Sequence, residues 1–129
     1  MRAILAAAAI FLWLAHPARA TEWLICSGGE DVEIRVLLGA MQVIAVDTVE
    51  IEAGARKWST RGGDGTTPIT KGQAFETAEQ IWIDATDEKM DAIVARLRLF
   101  KANEGDAVVS GGTLQMPGIG AWAVRCEGP

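Results

Sequence analysis

Two cysteines place the strongest constraint on the fold. Cys26 and Cys126 are the only cysteines in the chain, so a single pairing is possible. In an oxidising compartment, an even number of cysteines is typical of disulfides. This bond would close a loop of about 100 residues, worth about 4–5 kcal/mol in the chain-entropy model. The alternative is a redox or metal-binding thiol pair, but the sequence lacks a C-x-x-C motif.

The first twenty residues have the three parts of a secretory signal peptide. Arg2 supplies a positive charge, residues 3–15 form an apolar run, and Ala18-Arg19-Ala20 is a small-x-small cleavage site. The apolar run is shorter than the about 20 residues that a membrane-spanning helix needs. We therefore expect cleavage between Ala20 and Thr21, rather than an uncleaved anchor, and a periplasmic or secreted protein without a membrane span.

Removal of residues 1–20 leaves 109 of the 129 residues, the size of one domain. The removed segment carries two of the 12 basic residues and none of the 17 acidic ones, so residues 21–129 have a net charge of −7. Nucleic acids and anionic membrane surfaces are bound through clustered Lys and Arg, and an acidic domain argues against both as partners. We expect one monomeric β-rich domain over 21–129.

Alternation of apolar and polar residues, the pattern of half-buried strands, dominates this domain. Residues 31–38 place Val32, Ile34, Val36 and Leu38 on one face, and Gly39-Ala40 predicts a tight turn. The loop at 61–68 is rich in glycine. Further strands are predicted over residues 41–52, 55–60, 73–85, 106–110, 112–116 and 119–126.

The alternation also predicts which side chains face the core. Val49 and Ile51 face inward and Thr48 outward, while Phe75 shares the inward face with Ile81 and Ile83. Near the chain ends, Leu24 shares a face with Cys26, and Val124 shares one with Cys126. We therefore expect the terminal strands to be neighbours, with both sulfur atoms pointing inward.

Residues 87–102 interrupt this pattern. Acidic residues precede basic ones, as the helix dipole favours, Thr86 is a candidate N-cap, and Asn103 to Gly105 offer a stop. The segment also alternates as a strand would, with Ala95, Leu97 and Leu99 on one side. We favour one amphipathic helix, which gives an α+β, mostly β fold: a small antiparallel sheet or barrel of about seven to eight strands packed on it. The apolar residues at helical spacing are Met90, Ile93, Val94, Leu97 and Phe100.

The residue types left after cleavage restrict the possible chemistry. His16 is the only histidine and lies in the signal peptide, so residues 21–129 have no imidazole base and no histidine metal ligand. If both cysteines are paired, no thiolate nucleophile remains. We expect no catalytic residue, no metal site and no cofactor. The alternative is a small hydrolase that uses carboxylates at Asp84, Asp87, Glu88 or Asp91.

The loop at 61–68 and its flanks form the candidate binding site. Basic residues concentrate there, and Trp58 lies among them; Trp and Arg frequently dominate the energy of protein interfaces. The alternative places Trp58 in the core and makes the loop a solvated connection, and the core is also the expected place of Trp23, Trp82 and Trp122. The candidate binding residues are Arg56, Trp58, Arg61 and Asp64.

The stretch EAGARKW, residues 52–58, resembles the S-G-A-R-Y motif of bacterial periplasmic inhibitors of C-type lysozyme. Those inhibitors are small exported β-barrels with a cysteine near each end. The resemblance covers seven residues: Ala53 replaces the motif's serine, and Lys57-Trp58 stand at its tyrosine. The W-S-K-G element of the family has no clear match, although WSTRG at 58–62 is similar in character.

These features together predict an exported, non-catalytic binding protein of the bacterial periplasm. Its ligand would be a protein or a small molecule of the cell envelope. The first alternative function is inhibition of a lysozyme or related cell-wall hydrolase, with Arg56 and Arg61 meeting acidic groups of the enzyme. The second is the carboxylate-dependent hydrolase.

Overall fold

The computed structural model describes residues 21–39 and 43–129. Within these ranges the regular structure is entirely β. The predicted signal peptide and Ala40 of the predicted turn lie outside the described residues. The strands are β1 (Glu22–Ser27), β2 (Val32–Gly39), β3 (Ala45–Ala53), β4 (Arg56–Ser59), β5 (Thr67–Pro68), β6 (Thr70–Glu76), β7 (Gln80–Thr86), β8 (Ile93–Glu104), β9 (Ala107–Met116) and β10 (Gly120–Glu127).

All ten strands belong to one sheet, in the order β5-β4-β3-β2-β1-β10-β9-β8-β7-β6. The sheet thus consists of two meanders, β1–β5 and β6–β10, that are joined where β1 pairs with β10. Every neighbouring pair is antiparallel except β4 and β5, which run parallel.

The sheet curls into a nearly closed barrel because its two outer strands are continuous in the chain. Only Ile69 separates β5 from β6. β5 pairs with β4, and the Ile69 amide donates to the Ser59 carbonyl oxygen at 3.2 Å. This pairing brings β6 back beside β3. No ladder joins β3 to β6 within the described strands, so a slot remains on this side.

Inward-facing apolar side chains fill the barrel, as the alternation predicts. In β2 the inward residues are buried and Glu33 and Arg35 are half-buried on the outer side. Burying a Leu or Ile side chain stabilises the fold by roughly 2 kcal/mol. The most deeply buried side chains include Leu24, Ile34, Ile51, Leu97, Leu99, Leu114 and Met116.

The predicted disulfide is confirmed. Cys26 lies directly opposite Cys126 in the β1–β10 ladder, and their Cα atoms are 4.0 Å apart. Leu24 and Val124 are buried on the same inward face. The terminal strands are therefore neighbours, with both sulfur atoms inside the barrel.

The predicted helix at 87–102, and with it the α+β class of seven to eight strands, is wrong. Residues 93–102 lie within β8, which pairs with β7 on one side and β9 on the other. The segment is compatible with a helix and with a strand, and hydrogen bonding to a strand on each side favours the strand. Within β8, Ala95, Leu97 and Leu99 are buried, as the alternative interpretation of this segment as a strand predicts.

The acidic residues at the start of the predicted helix instead belong to a turn before β8, which Asp87 organises. The Asp87 carboxylate accepts hydrogen bonds from the amides of Asp91 at 2.8 Å and Ala92 at 3.4 Å. Met90 has a φ of 59° and is exposed. Asp stabilises turns by the same side-chain-to-backbone bonds with which it caps helices, so the sequence could not distinguish the two.

The single strand predicted over 73–85 is also wrong, because a turn divides it into β6 and β7. The Thr77 hydroxyl oxygen accepts the amides of Glu79 and Gln80 at 3.2 and 3.0 Å, which reverses the chain. Phe75 therefore lies opposite Trp82 on the outer face, not inward with Ile81. Trp82, expected in the core, is 46% exposed.

Conversely, residues predicted as two strands, 106–110 and 112–116, form the single strand β9. Gly111 and Gly112 lie inside it, where the neighbouring strands approach closely. A Cβ at Gly111 would lie 2.9 Å from the Val124 carbonyl oxygen, and one at Gly112 would collide with the Arg98 carbonyl oxygen. These glycines permit close strand packing and do not mark a turn.

Within the described residues, no helical segment has the length and hydropathy needed to cross a bilayer.

Replacing both cysteines, Cys26→Ser with Cys126→Ser, should lower the free energy of unfolding by about 4 kcal/mol, because the disulfide closes most of the chain into one loop. Urea denaturation of the variant and of the wild type checks this. The wild type in reductant is the matched control and should resemble the variant. A difference below about 1 kcal/mol would show that strand pairing alone holds β1 against β10.

Candidate functional site

The structure places Trp58 of the predicted binding loop in the core. Its side chain is 3% exposed and lies opposite Ile51 across the β3–β4 pair. The exposed Arg56 covers it, with the guanidinium carbon 4.9 Å from the ring centroid. Trp58 thus corresponds to the alternative expectation for this residue, and the loop presents no tryptophan to a partner.

Arg61, at the start of the loop at 61–68, contacts the outer side of β3. Its Nε donates to the Thr48 hydroxyl oxygen at 3.0 Å, and its Nη2 lies 3.5 Å from Asp47 Oδ2. Thr48 faces outward as predicted, yet it is 1% exposed. The alternation predicted the outward face of Thr48 correctly. It did not predict that Thr48 is buried, because the loop that packs on Thr48 is distant from it in the sequence.

Asp47 is held in its charged form by the same contacts. The Thr48 hydroxyl donates to Asp47 Oδ2 at 2.8 Å, and this hydrogen bond lowers the pKa of the Asp47 carboxyl. Partial desolvation opposes the shift, while Arg61 and Lys71 reinforce it. Arg61, Thr48 and Asp47 thus link the loop to β3, and the charge of Lys71 on β6 acts on Asp47 without a direct contact.

The four predicted binding residues do not form one surface. Arg56 pairs with Ala53 at one end of β3, whereas Arg61 contacts Asp47 near the other end. Six residues of extended strand separate these positions, about 20 Å. Asp64 is exposed at the loop tip, where Gly63 and Gly65 have positive φ.

Two of the four candidate carboxylates, Asp84 and Asp87, make structural contacts. Asp84 accepts a hydrogen bond from Arg98 Nη1 at 2.7 Å on the outer face of the barrel. Asp87 organises the turn described above, and Glu88 and Asp91 are exposed in it. Among the residues that the structure describes, no three His, Cys, Asp or Glu side chains are grouped as metal ligands.

A cavity of about 910 Å³ opens at one end of the barrel. Because strands from both meanders end here, we call this opening the mouth. Its walls include the start of β1, the end of β2, and the ends of β6, β8 and β10. Apolar side chains form part of the lining, among them Leu38, Ile81 and Val108.

Charged side chains stand within this mouth. Lys101 Nζ lies 2.7 Å from Glu76 Oε1, and the Lys101 side chain is 21% exposed. Glu22 also lines the mouth and forms no ion pair within the described parts of the chain. A second cavity of about 590 Å³ lies between residues 43–44, which precede β3, and the end of β6, and it shares Ile44, Glu76 and Lys101 with the mouth.

The mouth was not predicted from the sequence, because the residues that line it come from distant strand ends and form no motif. A weaker pattern was present. Lys101 continues the inward series of Leu97 and Leu99, and Glu22 precedes Leu24 on the inward face of β1. A charged residue in inward register at the end of a buried strand indicates an open barrel end.

No protein-family model matches this chain, and neither a curated protein nor a solved structure matches it.

Asp47→Asn should make the free energy of unfolding less dependent on pH in the acidic range. A lowered native pKa stabilises the fold above the ordinary value of 3.8, and this contribution disappears as the pH falls through the native value. The variant should therefore be slightly less stable than the wild type at neutral pH, and the difference should vanish in acid. Urea denaturation from about pH 2 to about pH 7 measures both curves. Parallel curves would exclude a native interaction of this carboxylate.

Proposed function

We propose that the protein is an exported, non-catalytic binding protein of the bacterial periplasm and that its ligand occupies the mouth of the barrel. The observation that carries this proposal is the cavity of about 910 Å³. Small-molecule sites span roughly 300–1,000 Å³ and occur in the mouths of β-barrels. The signal peptide predicted from the sequence supports the location.

The lining supports a small amphipathic ligand. Leu38, Ile81 and Val108 offer apolar contact, and the Lys101–Glu76 pair offers both a donor and an acceptor at the edge. A few polar groups on an apolar wall fix the orientation of a bound molecule, while apolar burial supplies most of the affinity.

A non-catalytic role agrees with the available side chains. Residues 21–129 contain no histidine, and both cysteines are held in the disulfide. Two of the charged groups of the mouth, Lys101 and Glu76, are paired with each other. We therefore assign this pair to binding.

Filling the mouth should abolish ligand binding. Ser110 lines the cavity on β9, so Ser110→Trp should place an indole inside it. Thr113→Trp is the matched control, since Thr113 lies on the same strand but faces outward. Mass spectrometry under non-denaturing conditions, on protein recovered from the periplasm, should show a bound small molecule on the wild type and the control only. Equal occupancy of all three proteins would place the ligand elsewhere, and no bound mass on any of them would count against the mouth as a binding site.

The alternative, inhibition of a lysozyme or related wall hydrolase, is favoured by the shape of the resembling stretch. Residues 52–58 form the β3–β4 hairpin, whose tip at Gly54-Ala55 is exposed together with Arg56. An exposed hairpin tip can enter an enzyme cleft, and Arg can pair with its carboxylates.

If this alternative holds, Arg56→Ala should weaken inhibition of a C-type lysozyme by about tenfold or more, as expected for a dominant interface residue. Arg125→Ala, an exposed arginine on another strand, is the control and should inhibit normally. Cell-wall lysis assays measure both. Absence of inhibition by the wild-type protein would remove this alternative and leave the mouth proposal untouched.

A further inference from the structure

The outer side of the second meander carries an exposed group of aromatic side chains. Phe75, Trp82 and Phe100 are 51%, 46% and 66% exposed, on three successive strands. Large apolar side chains grouped on a surface frequently mark an interaction site. We call the outward side of β6–β10 that contains Phe75, Trp82, Phe100, Arg96, Arg98 and Arg125 the aromatic–arginine face.

Two of the rings, Phe75 and Trp82, and one arginine of this face are held in fixed positions. Phe75 lies directly opposite Trp82, with ring centroids 5.9 Å apart and an interplanar angle of 61°. The Arg98 guanidinium carbon lies 5.2 Å from the Trp82 ring centroid, and Asp84 accepts a 2.7 Å hydrogen bond from its Nη1. Ordering these side chains before binding reduces the entropy lost in a complex.

Small side chains make the adjoining surface flat. Gly111 lies opposite Phe100, and Thr113 lies opposite Arg98. On the next strand Ala123 pairs with Thr113, and Ala123 is exposed on the outer face. The aromatic residues therefore border a shallow surface over β9 and β10, onto which an extended chain can lie.

The centre of this face carries positive charge without carboxylate partners, although the protein is acidic. Residues 21–129 contain 17 acidic and 10 basic side chains. On the aromatic–arginine face, Asp84 neutralises Arg98, whereas Arg96 and Arg125 have no carboxylate within 4.0 Å among the described residues. Glu104 and Glu127 lie at the ends of their strands.

The outward side of the first meander differs. There Arg35 lies within 4.0 Å of Glu33 and Glu50, and Lys57 lies 3.1 Å from Glu52. Its cations are thus already compensated by its own carboxylates. The unpaired cations of the second meander are left for a partner.

We propose that the aromatic–arginine face docks an acidic polypeptide that also carries apolar side chains. The apolar groups would contact Trp82 and Phe100, and carboxylates would pair with Arg96 and Arg125. Charge complementarity of this kind selects the partner and accelerates its association. The inference does not rest on the ligand proposed for the mouth, although Arg125 also lines that cavity.

A second copy of the chain is a poorer occupant. In a two-fold dimer each surface contacts its own counterpart, so both sides of the interface would bring the same unpaired arginines. Both copies would also carry a net charge of −7. Nucleic acid fits less well for the same reason, because two unpaired arginines cannot compensate the repulsion of the whole domain.

Selection from a random peptide library tests the proposal, with peptides of about 12 residues, long enough to cross the face. Peptides retained by the disulfide-bonded wild-type protein should be enriched in Asp and Glu together with Leu, Phe or Trp. Their affinity should fall by about tenfold or more in Trp82→Ser and in Phe100→Ser, whose side chains are outside the core. Arg96→Gln with Arg125→Gln should weaken binding and reduce its dependence on salt.

The control is Arg56→Gln, an exposed arginine outside the face, which should bind the selected peptides normally. Neutral or basic peptides, or peptides unaffected by Trp82→Ser, would overturn the proposal. A concentration-dependent dimer lost in Trp82→Ser, measured by sedimentation equilibrium, would overturn it in favour of a second copy. Trp82→Ser and Phe100→Ser should unfold at nearly the wild-type urea concentration, so weak binding is not a consequence of misfolding.

Discussion

The pairing of the first strand with the last holds the barrel together. The β1–β10 register contains three residue pairs, and Cys26–Cys126 is the middle one. Elsewhere the first meander continues into the second through Ile69, and the parallel β4–β5 contact, with two registered pairs, holds β6 beside β3. Short ladders contribute little by themselves. A covalent bond at one joint keeps the meanders close enough for the other to form, so the disulfide supports both.

The two proposed sites depend differently on this joint. The mouth is walled by both meanders, with Glu22 and Leu38 from the first and Lys101 from the second. Its width therefore follows the relative position of the meanders. The aromatic–arginine face belongs to β6–β10 alone and is ordered by contacts within that meander, such as the Asp84–Arg98 pair. The two sites meet at Arg125, which belongs to the face and also lines the mouth.

The sequence predicted those parts of the fold that depend on local alternation and covalent chemistry. The inward face of β2, the terminal strands and the disulfide followed from spacing alone. The helix at 87–102 failed because Asp87 can cap a helix or build a turn with the same hydrogen bonds, and only the ladders to β7 and β9 decide. The sites were less predictable, since Trp82 and Phe75 acquire their outward position from the Thr77 turn, and the mouth assembles residues far apart in sequence.

The disulfide also determines how tension would pass through the molecule. Cys26 and Cys126 stand side by side near the two ends of the domain, with Cα atoms 4.0 Å apart. Force applied to the chain on either side of residues 26–126 would run through the S–S bond from one strand to the other. The strands enclosed by the bond, including most of the core and the aromatic–arginine face, would be shielded from extension. The oxidised domain would lengthen only by its short terminal segments, whereas the reduced domain would expose its whole chain to the pull.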